Sequence, residues 1–290
     1  MRLLGLKAGH IDEDYLQRLV TQLRASSIKK AVLQSWDCRY DEKGEPDPAH
    51  TTSAFVPNDY LLKTVARYPD LFIPCASINP TRKEALDELD RCAAQDVKVI
   101  KIHPPTMNVI RRIRDFYRRC AAHRIIVMVH TGAEHAADIV GVEFWDLQRL
   151  TMALEIGCTV IAAHGGLSAF FDKEDFFLKL RPMIRRFPNL YFDTAVLASM
   201  FRWRNLPRIM GDSEVIARAI HGSDFPFPSN AMVFWNRLSP RTLAALLQEK
   251  NLIERDVRIK QALGLPREVF ERGAKLLAAA GRPPAPSPGR

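Results

Sequence analysis

Residues 125–132 read IIVMVHTG. Five apolar residues, most of them β-branched, run into His130, Thr131 and Gly132. A short apolar run that ends in polar and glycine residues reads as a strand buried on both faces, as parallel strands are. The imidazole at its end needs a reason, because a buried polar group is costly unless something bonds to it. The pattern repeats on both sides. VKVIKIHPP (97–105) ends in Lys101 and His103, and TVIAAHGG (159–166) ends in His164. LYFDTA (190–195) ends in Asp193, and AIHGSDFPF (219–227) ends in Asp224.

Two further apolar runs, KKAVLQS (29–35) and FIPCASINP (72–80), extend the series toward the N-terminus. Between the runs lie segments of helical periodicity. Leu16, Leu19, Val20 and Leu23 share one face of a helix predicted over 12–24, with Asp12 as its cap. Further helices are predicted over 83–94, 107–123 and 143–156. Strands and helices that alternate at this period predict an α/β fold with a parallel sheet, here a (β/α)8 TIM barrel. A doubly wound sheet is the alternative, but the chain has no GxGxxG phosphate turn. Seven strands are legible, and the eighth, strand 1, is expected to be missing. The barrel is expected to occupy residues 1–277 as a single domain, followed by a disordered Pro-rich tail over 278–290. The turn-rich stretch 41–59 is expected to overhang the mouth of the barrel.

Composition narrows the function. Forty-two Lys and Arg against 33 Asp and Glu give a net charge of +9, but the basic residues are scattered and no basic stripe carries interleaved aromatics. Nucleic acid is therefore not an expected partner. No apolar run reaches the length of a membrane span, and no signal-peptide pattern opens the chain. The five cysteines contain no CxxC and read as reduced core thiols of a cytoplasmic protein. The expected partner is a small-molecule substrate. An anionic one is allowed, as is a homodimer.

In a barrel, catalytic groups gather where strands end. A lone histidine there is more often a hydrogen-bonded core residue than a ligand. Successive strands ending in His, His, His, Asp and Asp are a different matter, because they converge on one mouth. Imidazole and carboxylate together suit Zn²⁺, Mn²⁺ or Fe²⁺.

VHTG, AHGG, the strand ending FDT, and GSDFPF occur here in the order in which the amidohydrolase-2 group of the amidohydrolase superfamily carries them. That group, as the resemblance has it, comprises TIM-barrel metal-dependent hydrolases and non-oxidative decarboxylases of the aminocarboxymuconate-semialdehyde type. The resemblance spans residues 12–277 in element order. It implies that His130 is a metal ligand, and that His164 contacts substrate or activates a water and in some members binds metal. It implies that Asp224 binds the metal or takes a proton from its water, so the metal set is His130, His164 and Asp224 and the catalytic pair is Asp224 and His164. Lys101 and His103 are expected to face substrate, with Pro104 and Pro105 fixing the loop that follows. A carbamate on Lys101, which some relatives carry, is the less favoured reading. Asp193 and Glu134 are expected to support the ligands from behind. Arg202 and Arg204 could clamp an acidic substrate. His221 is expected to pack against a helix, and His10, His50, His123 and His135 to lie at the surface.

One motif of the group does not occur here. Its His-x-His at the end of strand 1 has no counterpart anywhere in the chain. The expectation is that Met1 is internal and that the missing strand and ligands lie upstream. The function expected is a metal-dependent hydrolase with zinc as its ion. A metal-dependent decarboxylase on the same site is the alternative. If the His-x-His is truly absent, the alternative is a barrel with no metal that acts as a binding protein.

Overall fold

The structure, a computed structural model, describes residues 11–51, 54–109, 113–134, 137, 139–141, 146–167, 169, 172 and 177–281. His10, His135 and the tail beyond Gly281 lie outside the described residues. In chain order the elements are α1 (Ile11–Arg24), β1 (Ala31–Gln34), α2 (Asn58–Arg67), β2 (Phe72–Ser77), α3 (Ala85–Ala94), β3 (Val99–Ile102), α4 (Pro104–Met107), α5 (Ile113–Ala122) and β4 (Ile126–His130). There follow α6 (Thr151–Ile156), β5 (Val160–Ala163), α7 (Phe177–Arg186), β6 (Leu190–Asp193), α8 (Asn205–Met210), α9 (Ser213–Ile216), β7 (Ala219–Ile220), α10 (Pro240–Gln248), α11 (Leu252–Ala262) and α12 (Arg267–Ala279).

The seven strands pair in chain order, and every pair is parallel. This is the sheet of a TIM barrel with helices on its outside. Among the described residues nothing pairs β7 with β1.

Side chains alternate across each strand, and this sorts the core into two layers. Val99, Ile126, Met128, Ile161, Ala163 and Ile220 point inward and pack together inside the sheet. Ile100, Ile102, Val127, Val129, Ala162 and Phe192 point outward against the helices. The register places Ser77 beside Lys101, Lys101 beside Met128 and His130 beside Ala163. Each inward row is thus apolar at the start of its strand and polar at the end. The four leucine and valine residues expected on the buried face of α1 are buried. The helix begins at Ile11, and Asp12, Glu13 and Asp14 fill its first turn, where acidic groups oppose the helix dipole favourably.

Several elements differ from what the sequence suggests. The helix expected over 107–123 is interrupted by the left-handed Asn108 and resumes as α5 at Ile113, and the one expected over 143–156 is a 3-10 turn at Leu147–Leu150 and α-helical only from Thr151. β7 holds only Ala219 and Ile220, because Gly222, Phe225 and Pro226 leave the ladder at once. Pro104 and Pro105, expected to fix a loop, start α4 instead, where a proline lacks only an N–H that has no helical partner anyway. The His103 carbonyl caps this short helix, accepting from the N–H groups of Thr106 and Met107 at 3.1 Å each.

Among the described residues, the side of β7 away from β6 is covered by α12. The His221 N–H donates to the Val269 carbonyl at 2.9 Å. The Arg272 guanidinium donates to the Ala219 carbonyl and, at 3.3 Å, to that of Ile216. Further along α12, Leu276 and Leu277 pack on the inner apolar layer, and Ala280 joins it.

Candidate active site

The polar ends of the strands open into a cavity of about 1,490 Å³. His103, His130, His164, Lys101, Glu134 and Asp224 all line it, as does Arg202. Ala49, His50, Thr51, Ala54 and Val56, from the turn-rich stretch after β1, form part of its wall. The overhang expected of that stretch is therefore present.

Four rings follow one another in contact along the cavity, the last pair edge to face. Trp36 lies 4.3 Å from His103 between ring centres, His103 lies 4.1 Å from His130, and His130 lies 4.9 Å from His164. Glu134 Oε2 sits 3.3 Å from His103 Nε2 and 3.6 Å from His130 Nε2. On the far side of His103, Thr106 Oγ1 is 3.0 Å from Nδ1. The same hydroxyl accepts a hydrogen bond from Trp36 Nε1 at 3.1 Å.

His164 has a left-handed backbone, with φ of 62°. Its N–H donates to Asp193 Oδ1 at 2.9 Å, and the same oxygen accepts from the Ala195 N–H at 3.1 Å. Asp193 thus fixes the turn that presents His164. The close approach of β4 and β5 beyond their ends requires glycine. A Cβ on Gly132 would come within 3.1 Å of the Gly166 backbone. Asp224 also has a left-handed backbone, with φ of 57°, a conformation that aspartate and asparagine tolerate better than most residues.

Burial dominates the electrostatics. It holds the His130 and His164 imidazoles well below their usual range, so both are neutral. His103 is lowered for the same reason, with Glu134 acting against the shift. Burial raises Asp193, opposed by Lys101. Asp224 is raised from 3.8 to about 6, by burial first and then by Asp193 and Glu134, against Lys101 and Arg202. Arg202 is itself buried and is lowered by that burial, with Asp172 and Glu134 resisting.

The side chains expected at the site do not fall into one cluster. His103, His130 and Glu134 each offer a ligand atom, and these atoms lie within 4.8 Å of one another. Among the described residues no such group includes His164 or Asp224, which line the cavity beyond it. Asp193 lies behind His164 and does not line the cavity. Of the two arginines, Arg202 enters the cavity, whereas Arg204 lies over the Trp203 ring. His221 is turned away and stacks on Phe270 of α12. His50 is exposed and paired with Asp47 on the cavity rim, and His123 bonds to Asp90.

Trp36, Thr106, Arg39 and Arg255 also line the cavity, and sequence reasoning does not single them out. Trp36 and Arg39 could have been sought just beyond the end of β1. Thr106 is three residues after His103, one helical turn away. Arg255 could not have been found in this way, because it lies on α11, far along the chain.

The donor set fits a divalent ion. Two neutral imidazoles and a carboxylate face one another, and the buried His130 Nε2 has no hydrogen-bond partner. Buried polar atoms are rarely left unpaired, so this lone pair is available to a ligand.

A parallel barrel sheet with imidazole and carboxylate groups at its C-terminal mouth is the arrangement of a barrel enzyme. Residues 48–248, more than half of the chain, match the family described as Amidohydrolase. The chain belongs to that family. Its fold is similar to an uncharacterized TIM-barrel protein from Bordetella bronchiseptica, with a TM-score of 0.64 at 20% identity, covering 97% of this chain and 89% of that one. It is also similar to a probable 2-pyrone-4,6-dicarboxylic acid hydrolase from Acinetobacter baumannii, solved with citric acid bound. There the TM-score is 0.57 at 15% identity, covering 91% and 89% of the two chains. No protein of curated function gives a significant match. No helix among the described residues is long and apolar enough to cross a membrane.

Proposed function

We propose that this protein is a metal-dependent hydrolase of small carboxylate-bearing substrates. The observation that carries the reading is the composition of the cavity: basic groups for an anion stand beside neutral imidazoles and an aspartate of raised pKa. Arg202 is 8% exposed. Its Nη2 donates to the Ala133 carbonyl at 2.6 Å, while its buried Nη1 has no partner. Arg39, whose Nε pairs with Asp47 Oδ2 at 3.6 Å, and Arg255, whose Nη1 donates to the Glu249 carbonyl at 3.4 Å, line the same cavity. A guanidinium held out of water and left short of acceptors favours a carboxylate, which it can grip with two parallel hydrogen bonds. Lys101 adds a further cation to the lining. The dicarboxylic substrate named for the Acinetobacter protein is in keeping with this, and the hydrolytic half of the family is favoured for that reason.

A divalent cation in the site, held by imidazole and carboxylate donors around His130, would acidify a water and polarise a carbonyl. The chain's own groups supply the rest. Arg202 and Lys101 orient the substrate by its carboxylate. Asp224, which half-titrates near pH 6, takes a proton in the attack and returns it to the leaving group. His164, neutral and anchored through Asp193, presents its ring to the reacting centre at a fixed angle. The Trp36 ring, tilted against His103, supplies an apolar patch of the cavity wall.

The test is a panel of esters, lactones and amides that carry a carboxylate, assayed for hydrolysis and for CO₂ release. Each is run with added Zn²⁺ or Mn²⁺ and with chelator. Hydrolysis that chelator abolishes and Asp224→Asn eliminates is the expected result. CO₂ release without hydrolysis would make the protein a lyase, and turnover undiminished by chelator would remove the metal.

A further inference from the structure

We propose that the metal centre of this chain is His103, His130 and Glu134, with His164 and Asp224 left free for substrate and proton transfer. The inference rests on the hydrolase reading above and specifies which side chains hold its ion. Three observations converge on it.

The first is spacing. Zinc binds nitrogen and oxygen ligands at about 2.0–2.1 Å, so adjacent ligands on a tetrahedron stand about 3.3 Å apart. Glu134 Oε2 lies 3.3 Å from His103 Nε2 and 3.6 Å from His130 Nε2. Two of the three separations thus match the edge of a zinc tetrahedron, and the third, between the two histidines, lies within 4.8 Å. Three protein ligands and a fourth position open to a cavity describe a catalytic rather than a structural zinc site.

The second is burial. His103 is 3% and His130 4% exposed, and His130 Nε2 lacks any hydrogen-bond partner. An unpartnered ring nitrogen at this depth, with a carboxylate oxygen 3.6 Å away, is placed to serve as a ligand.

The third is the support behind His103. A ligating histidine usually donates its other ring N–H to a neighbouring acceptor. Thr106 Oγ1 occupies that place at 3.0 Å, and it also lies 3.4 Å from the His103 carbonyl. Its single proton therefore has two uses. Donated to the carbonyl, it leaves the hydroxyl oxygen to accept from Nδ1–H, and the Nε2 lone pair is free for the ion. Donated to Nδ1, it leaves Nε2–H to bond Glu134. Trp36 Nε1 can only donate, and it holds the hydroxyl in place in both states. Thr106 and Trp36 are thus positioning residues for a His103 that can switch between metal and carboxylate.

The test is titration of the full-length, chelator-stripped protein with Zn²⁺ by calorimetry and with Co²⁺ by visible spectroscopy, folding of each variant being checked by circular dichroism. Wild type should take one equivalent and give the intense visible bands of a four-coordinate cobalt site. His103→Gln, His130→Gln and Glu134→Gln should each weaken Zn²⁺ binding at least about a hundredfold, and Thr106→Val about tenfold to a hundredfold. His164→Gln and Asp224→Asn should change it by less than about fivefold, since neither would touch the ion. The competing assignment is His130 with His164 and Asp224. If Asp224→Asn or His164→Gln loses the ion as completely as Glu134→Gln does, or if folded wild type binds no Zn²⁺, the proposal fails. Its failure is separable from that of the hydrolase reading. An ion mapped to these three residues in a protein that hydrolyses nothing leaves the site standing, and chelator-sensitive hydrolysis with the ion mapped elsewhere leaves only the hydrolase standing.

Discussion

Replacing Asp224 by asparagine should make the protein more stable while making it inactive. The carboxyl group titrates at about 6 in the folded chain against an ordinary 3.8. The folded state therefore holds this proton more tightly than the unfolded one, and stability falls as pH rises through the interval between the two values. The cost is fully present above about pH 6 and absent below 3.8. A rise of this size in the folded-state pKa corresponds to about 3 kcal/mol. Asp224 is only partly buried and opens onto the cavity, so water screens part of this, and about 2 kcal/mol is the working figure. Asparagine keeps the size and tolerates the left-handed backbone, but it carries no charge to desolvate. Urea unfolding in the presence of chelator should show Asp224→Asn more stable than wild type by about 2 kcal/mol at about pH 7.5. That corresponds to a gain of about 4 °C in Tm for a chain of this length. The gain should shrink to about half near pH 5. A variant no more stable than wild type in the neutral range, or a difference that ignores pH, would show that burial does not strain this carboxylate.

Three further outcomes are expected. Lys260 is fully buried and bonds Asp256 Oδ2 at 2.6 Å and the Gly222 carbonyl at 2.9 Å; Lys260→Met strands the Asp256 charge and should cost about 3–5 kcal/mol in urea melts, less at acid pH, where Asp256 protonates. Arg202→Gln should raise KM for a carboxylate substrate about thirtyfold with kcat nearly unchanged, because a charged hydrogen bond worth about 2 kcal/mol is lost from substrate and transition state alike; an equal loss in kcat would place Arg202 in the chemistry instead. Arg272→Ala should uncover the carbonyls at the β7 edge, lower stability by about 1–3 kcal/mol and increase self-association in sedimentation runs.

Strand order and parallel pairing were legible because each strand is apolar without interruption and ends in a group that a core rejects. His130 illustrates this best: its run and its glycine together announce both the strand and the mouth of the barrel. Glu134 could be read as a neighbour of that histidine, but its position between two imidazoles could not. A coil residue four places past a strand can point anywhere, and the turn at Gly132 decides its direction. His103 looked like a substrate contact because two prolines follow it. That those prolines would open a helix, and bring Thr106 under the ring, depends on local backbone geometry that residue identity alone leaves open. Arg202 and Arg204 looked equivalent on paper. Burial separates them, and burial at this point is set by elements far apart in the sequence. The short β7 shows the opposite limit, since the apolar residues around it suggested a longer strand than the ladder could hold.

The cover that α12 places over β7 has a consequence for how the molecule is made. Translation delivers β7 well before α12, so until that helix is made the Ala219 carbonyl and the His221 amide lack the partners that α12 gives them among the described residues. In most parallel sheets the partner of an edge is another strand, which can form its ladder one residue at a time. Here the partner is the first two turns of a helix, contributing one carbonyl through Val269 and one guanidinium through Arg272. Both contacts depend on residues of α12. A nascent chain paused before residue 267 would offer its neighbours on the polysome a sheet edge in search of a strand, which is the circumstance in which growing chains stick to one another.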